Sequence, residues 1–355
     1  MNEEWEINGA MVQIPIGGLH VAPLEKYSAY EVSANDNIVP PEPIIKIGES
    51  IVATAGNVIT LSGDSKSGKS SLTNVIIAGS IVSGGYDGFP GLDVKVNKDK
   101  QAVIHFDTEQ STYKQYETLT YGIMKRTGFE FQPSHLRSYN LRSLGIEEYQ
   151  SVVTGICQEA SELYGGIHSI YIDGFADFIN SVNDDKESNA IVDYFTKLAI
   201  EFDTILVGIV HVNPGGKKQR GHLGSQLQRK SESVINVIKE DGYSYIHPDF
   251  MRNSDVSEFS FIKFKYSKEA GYHQYAGIKE YEEKTTTELD RRDLALKIFS
   301  EVPKRYKDAY VEIMNQQDVS ERTAKSRISE MVNFNIVTKL EDKTYVLKLE
   351  DDLDE

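Results

Sequence analysis

The chain has one cysteine in 355 residues, Cys157, and that scarcity excludes a disulfide framework. Within the helical pattern TGICQEASELYGG the thiol reads as a small buried hydrophobe, and its solitude fits a reducing cytoplasm. No run of about 18 apolar residues occurs, so no membrane span is expected. The opening stretch MNEEWEING is acidic, where a secretory signal would carry basic residues ahead of an apolar core. Basic residues are also in short supply, with 38 Lys and Arg against 54 Asp and Glu, for a formal charge of −16. That balance excludes bulk attraction to a polyanion, so any nucleic-acid contact has to be local. One segment is suited to it: residues 216–230 (GKKQRGHLGSQLQRK) bring Lys217, Lys218, Arg220, Arg229 and Lys230 together without Asp or Glu. Internal repeats and low-complexity tracts are lacking too. The composition is that of ordinary globular sequence, long enough for one large α/β domain and a smaller one.

What is present is a phosphate-binding signature. Gly63, Asp64, Ser65, Lys66, Ser67, Gly68, Lys69 and Ser70 spell GDSKSGKS and satisfy G-x-x-x-x-G-K-[ST] at every fixed position. The two glycines let the backbone curl so that successive N–H groups point inward at the start of a helix. Lys69 is expected to reach the β and γ phosphates of a nucleotide, Ser70 to hold Mg²⁺, and Ser71 to complete the cradle. The flanks suit the motif, since NVITLS at 57–62 is β-rich and SLTNVIIAGSIVS at 71–83 continues as a largely buried helix.

Around this motif, β-rich and helical runs alternate. Strands are expected at 50–54, 57–62, 101–107, 136–140, 168–173 and 204–211, and helices at 69–83, 110–126, 146–164 and 187–202, which predicts an α/β fold with a mainly parallel sheet covered on both faces. Strands near 232–239, 243–247, 258–266 and 272–281 read as an antiparallel extension. Residues 1–43, ending in Val39-Pro40-Pro41-Glu42-Pro43, read as an arm suited to packing on a neighbouring subunit, and 44–282 as the main domain. EYEEKTTTELDRR at 280–292 reads as a linker. Helical stretches at 292–301, 305–316 and 320–334 with a hairpin at 338–347 predict a winged helix-turn-helix over 283–350, followed by an acidic tail at 351–355.

Hydrolysis needs a metal-orienting acid and a group to position water. Asp173 ends the apolar strand GIHSIYID and is the candidate metal acid. Glu109 follows the strand AVIHFD and is the candidate base; Asp107 shares its face by the period of two, so the roles could be exchanged, and Glu109 could merely open the next helix. His211 ends the strand TILVGIV and is a candidate γ-phosphate sensor. In the C-terminal module, Ser320 is a candidate helix cap, which places Arg322, Lys325 and Arg327 near the helix start, where helix-turn-helix proteins touch DNA. Such modules also bind proteins, so duplex DNA and a partner protein both stand as expectations.

Taken together, GDSKSGKS, FDTEQ, SIYIDGFAD, GIVHVNPGG and QRGHLGSQLQRKSESVINV resemble, in that order, the RecA-fold ATPase core of the hexameric replicative helicases. The likeness is nearest to the RepA-like ATPases of plasmids and mobile elements, with the DnaB group further off, and covers roughly residues 40–270. It implies a RecA-like phosphate-loop NTPase using ATP and Mg²⁺, with Asp173 as Walker B acid, Glu109 as catalytic glutamate and His211 as sensor. It also implies a hexameric ring whose 213–222 loops, carrying Lys217, Lys218, Arg220 and His222, face single-stranded DNA. A basic finger from the adjacent subunit falls in FIKFKYSK, at Lys265 or Lys268; the common Lys-x-Arg pattern is not kept there. The expected function is a DNA helicase or translocase serving replication or mobilisation of a mobile element. The alternative is an ATP-gated DNA-binding regulator or assembly factor without unwinding activity.

Overall fold

The computed structural model describes residues 2–7, 10–15, 25–211, 221–254, 259–278, 286–299, 303–334, 336–340 and 342–348. A hairpin of β1 (Asn2–Ile7) and β2 (Ala10–Pro15) comes first. Next come β3 (Pro43–Ile47), β4 (Ser50–Thr54), β5 (Val58–Ser62), α1 (Lys69–Ile81), β6 (Leu92–Val94) and β7 (Ala102–Asp107). A helical run follows as α2 (Thr112–Glu117), a π-helical stretch (Thr118–Met124) and α3 (Lys125–Thr127), and after it β8 (Leu136–Asn140) and α4 (Ile146–Tyr164). The core continues with β9 (Ile167–Asp173), α5 (Asp185–Glu201), β10 (Ile205–Ile209), α6 (Gly221–Lys230), β11 (Ser233–Glu240), β12 (Tyr243–Met251), β13 (Ile262–Ser267) and β14 (Tyr272–Ile278).

Nine of these strands form one sheet in the order β14-β13-β12-β11-β5-β10-β9-β7-β8. From β11 to β8 the neighbours run parallel, and β12, β13 and β14 extend the sheet antiparallel. This is the expected α/β fold with a mainly parallel sheet, with the phosphate-loop strand β5 at its middle and β10 set between β5 and β9. Alternate residues on β5 and β9 serve opposite layers. Ile59, Leu61 and Tyr171 pack with Leu72, Val75 and Ile76 of α1, whereas Val58, Ile170 and Ile172 pack with Val153 of α4, Phe195 of α5 and Leu227 of α6. Each such aliphatic side chain removed from water contributes about 1.5–3 kcal/mol.

Three local expectations are corrected. Segment 50–54 is a strand outside the main sheet: Gly48, at φ 62°, turns the chain so that β4 pairs antiparallel with β3, and β6 completes a separate three-stranded sheet. Part of the basic segment is helical, because Leu223 and Leu227 recur at a spacing of four and α6 buries both. Residues 286–292 of the expected linker already belong to α7 (Thr286–Phe299). Beyond α7 lie β15 (Lys304–Arg305), α8 (Tyr306–Gln317), α9 (Glu321–Asn333), β16 (Val337–Lys339) and β17 (Thr344–Leu347), with the strands ordered β15-β17-β16. Ser320 caps α9 by accepting the Thr323 N–H, and Leu294, Ile298, Ile313, Ile328 and Met331 form a hydrophobic core for this segment. Among the described residues no helix is long and apolar enough to cross a membrane.

Candidate functional site

The loop after β5 is shaped by backbone conformations that a side chain would spoil. Gly68 has φ 110° and precedes α1 without any side-chain cap, and no acid lies in the first turn. The helix N–H groups there are open to an anion. A Cβ on Gly68 would come within 2.8 Å of Ser244 Oγ and 2.9 Å of the Phe264 ring, and one on Gly63 within 2.5 Å of the Val237 carbonyl oxygen. The cradle therefore rests directly on β11, β12 and β13. Ser244 donates to the Ser67 carbonyl oxygen at 2.6 Å. Lys69 folds back onto the loop, its Nζ donating to the carbonyl oxygens of Gly63 at 2.7 Å and Asp64 at 2.8 Å. Burial lowers its pKa, against the pull of Asp173, Glu109 and Asp64. Ser70 and the rest of the loop tip, Asp64, Ser65 and Lys66, are exposed, while Ser71 Oγ lies 2.8 Å from His273 Nδ1.

The acids arrive on adjacent strands in register, Asp107 of β7 beside Asp173 of β9. Asp173 is 7% exposed, and burial, with Asp107 and Glu109 nearby, raises its pKa to about 7. Asp107 is fully buried. Its Oδ1 accepts the backbone N–H groups of Glu109 at 3.0 Å and Gln110 at 2.8 Å, and its Oδ2 has no partner. Asp107 thus shapes the turn that carries Glu109 outward, which separates two residues that strand periodicity left interchangeable. Glu109 does not open α2; Ser111 caps that helix instead.

Glu109 and Lys69 are joined by one imidazole. His211 Nδ1 lies 3.3 Å from Lys69 Nζ and His211 Nε2 lies 3.5 Å from Glu109 Oε2. A protonated lysine only donates, so Nδ1 accepts and Nε2 carries the proton that faces Glu109. The His211 hydrogen bond is the main cause of a Glu109 pKa below the usual carboxylate range, with Lys69 adding to it. A cleft of about 210 Å³ opens beside the pair, lined also by Gly174, Asp177 and Leu223. Gln110 reaches Asp173 Oδ2 at 3.5 Å. No sequence pattern assigned a role to Gln110 or His273; Gln110 directly follows Glu109, whereas His273 meets the phosphate loop only through the fold.

The remaining candidates lie elsewhere. Lys265 and Lys268 are exposed, and Lys265 sits 5.1 Å from the Tyr243 ring. Lys217, Lys218 and Arg220 lie outside the described residues. His222 pairs with Asp185 at 2.6 Å, so an acid of α5 already holds it. Arg322 is exposed, whereas Lys325 pairs with Glu321 at 2.6 Å and lies 4.8 Å from the Tyr310 ring. Arg327 departs from the expected outward placement. Its Nε and Nη1 are shielded from solvent without partners, and it lines a pocket with Asp290 and Asp293, because the helix turn that exposes Arg322 carries position 327 round toward α7.

Residues 23–217 match a family described as AAA domain. The chain belongs to that family. Solved structures similar to this AAA domain protein include the ATPase domain of G40P, at 11% identity and TM-score 0.43, covering 62% of this chain and 85% of that one. A KaiC-like protein from the hyperthermophilic archaeon Pyrococcus horikoshii OT3 is similar at 10% identity and TM-score 0.43, covering 67% and 100%. A search of curated proteins finds no match. The AAA domain is a nucleotide-binding ATPase core, and the residues present fit ATP with Mg²⁺. The α1 N-terminus is uncapped, and Ser67 Oγ and Asp107 Oδ2 are buried without partners.

Proposed function

We propose that this chain is an assembly-dependent ATPase motor, a ring-forming DNA helicase or translocase that serves replication or mobilisation of a mobile element in a reducing cytoplasm. The observation that carries the reading is the chain of contacts Lys69–His211–Glu109 at the mouth of the phosphate cradle. Bound Mg-ATP supplies the scissile phosphoanhydride and a divalent charge. Lys69 would leave the Gly63 and Asp64 carbonyls for the phosphates, and Ser70 and Asp173 would hold the cation. Glu109, kept ionised by His211 and Lys69, takes the proton of the attacking water. His211 senses the γ-phosphate through the Lys69 contact and passes its loss to the loop that follows.

Half of the site is to come from a neighbour. A transferring phosphoryl group needs positive charge beyond that of the phosphate-loop lysine, and in the expected finger segment FIKFKYSK the basic residues are lysines. Lys265 or Lys268 of the adjacent subunit supplies it. A lysine offers a point charge where arginine offers a fork, so hydrolysis is slow. Six subunits close the ring, and the 213–222 segments, with Lys217, Lys218 and Arg220, track a single strand through it. Residues 283–350, three helices with a small sheet, form a winged helix-turn-helix whose Arg322 faces duplex DNA or a partner protein, and residues 1–43 form an arm against the neighbour.

Two measurements test this. Hydrolysis per chain rises with protein concentration if the site is shared, and a flat rate down to monomeric dilution overturns it. Displacement of one strand of a forked duplex with ATP supports the motor. ATP-dependent DNA binding without displacement identifies the regulator instead.

A further inference from the structure

The β13–β14 ribbon touches the phosphate loop with one face and presents a lysine from the other. Phe264, Tyr266 and His273 share the inner face: Tyr266 pairs with His273 in register, and the His273 ring lies 5.5 Å from that of Tyr266 and 5.8 Å from that of Phe264. Phe264 closes over Gly68, and His273 Nδ1 meets Ser71 Oγ at 2.8 Å, two residues past Lys69. Lys265 and its register partner Gln274 alternate to the outer face, so one ribbon carries the loop contact and the exposed lysine on adjacent residue pairs.

The ribbon is also held rigidly on the far side. The His273 carbonyl oxygen accepts from Arg126 Nη2, and Arg126 donates to the carbonyl oxygens of Gly122 at 2.9 Å and Asp87 at 3.0 Å. Its guanidinium lies 4.3 Å from the Tyr272 ring and 5.6 Å from the Phe89 ring. Asp87 Oδ2 accepts from Tyr272 at 2.7 Å and from Gln274 at 2.9 Å. Residues 272–274 are thus clamped one after another, and a displacement of the first turn of α1 reaches β13 through Ser71 and His273 rather than dissipating in a loop. Packed elements shift as units.

We propose that His273 is a positioning residue that ties Ser71 of a subunit's own phosphate loop to the ribbon bearing Lys265, so that nucleotide loading at one site aims the lysine delivered to the next. This rests on the shared-site reading above. The hydroxyl of Ser71 and the imidazole form the only polar link described between α1 and β14, and a shift of about 1 Å in a catalytic cation is enough to change turnover by up to about a hundredfold.

The test uses the full chain at a concentration where hydrolysis per chain no longer rises. His273→Ala is expected to lower kcat about tenfold while the affinity for a non-hydrolysable ATP analogue, read by calorimetry, moves less than about twofold. His273→Asn keeps a polar atom where Nδ1 stood and is expected to recover most of the rate. Combined with Lys265→Ala, the His273→Ala change is expected to cost nothing further, because the relay then has nothing to aim. A parallel loss of affinity and kcat, no recovery in His273→Asn, or additive effects in the double variant each overturn the relay. Should His273→Ala fold poorly by thermal unfolding, His273→Leu keeps much of the ring's bulk without its polar atoms and takes its place in the cycle. Failure of the shared site itself has a different signature: Lys265→Ala and Lys268→Ala both at the wild-type rate, with no dependence on concentration.

Discussion

His211 Nε2 lies 3.5 Å from Glu109 Oε2, and this contact is the main reason that Glu109 is held below the usual carboxylate range. Replacing His211 with alanine removes it. The Glu109 pKa then rises toward its ordinary value, so the acid limb of the kcat–pH profile moves to higher pH. Steady-state hydrolysis measured from pH 4 to pH 8 in both proteins checks this, and an unmoved limb would mean that Glu109 does not limit turnover.

Glu109→Gln keeps the size of the side chain and removes its capacity to take a proton. Turnover is expected to fall by about 10²–10⁴-fold, with nucleotide affinity retained, because the cradle is built by other residues. Single-turnover hydrolysis alongside calorimetry separates the two effects. Equal losses in both would assign Glu109 to binding. Asp107→Ala, followed by the same two measurements and by thermal unfolding, is expected to reduce stability as well as rate, since it removes the Oδ1 that accepts the Glu109 and Gln110 N–H groups.

Much of this site was legible from the chain, and the reason is local. A phosphate loop binds through backbone N–H groups, so its spelling is confined to Gly63, Gly68, Lys69 and Ser70, and strand ends that carry Asp173, Glu109 and His211 follow from alternating apolar runs. What could not be read depends on partners distant in sequence. Nothing near residue 68 announces Phe264 or Ser244, and nothing near residue 71 announces His273. Segment 50–54 has the composition of a core strand, yet the turn at Gly48 decides its sheet. Arg327 reads as an outward basic residue at its helix start, and the packing of α9 against α7 decides where its guanidinium goes.

Asp173 gives the empty protein an unusual pH dependence. The folded carboxyl keeps its proton up to about pH 7, while the unfolded one loses it near 3.8. Between those values the folded chain binds more protons, so this group's contribution to stability falls as pH rises through the window and levels off above it. Asp173→Asn removes the penalty and is expected to stabilise the nucleotide-free protein at pH 8 by up to about 4 kcal/mol, and by little near pH 4. Urea unfolding of both proteins at the two pH values measures the difference. A variant less stable than wild type at pH 8 would contradict the burial cost assigned to Asp173.

Gly68 stands where the loop meets the antiparallel extension, and its replacement separates cradle geometry from cradle chemistry. Alanine at this position brings a Cβ to 2.8 Å from Ser244 Oγ and 2.9 Å from the Phe264 ring, at a φ of 110° that side chains rarely adopt. Backbone strain of this kind costs on the order of 1–3 kcal/mol. Phe264→Leu vacates part of the obstructing ring but leaves the φ unchanged. If contact dominates, the double variant is more stable than the sum of the single changes by about 1 kcal/mol or more. If φ dominates, the two changes add. Either way Gly68→Ala is expected to lose nucleotide affinity, because the N–H groups at the start of α1 no longer converge, and thermal unfolding with and without ATP reads both quantities in one experiment.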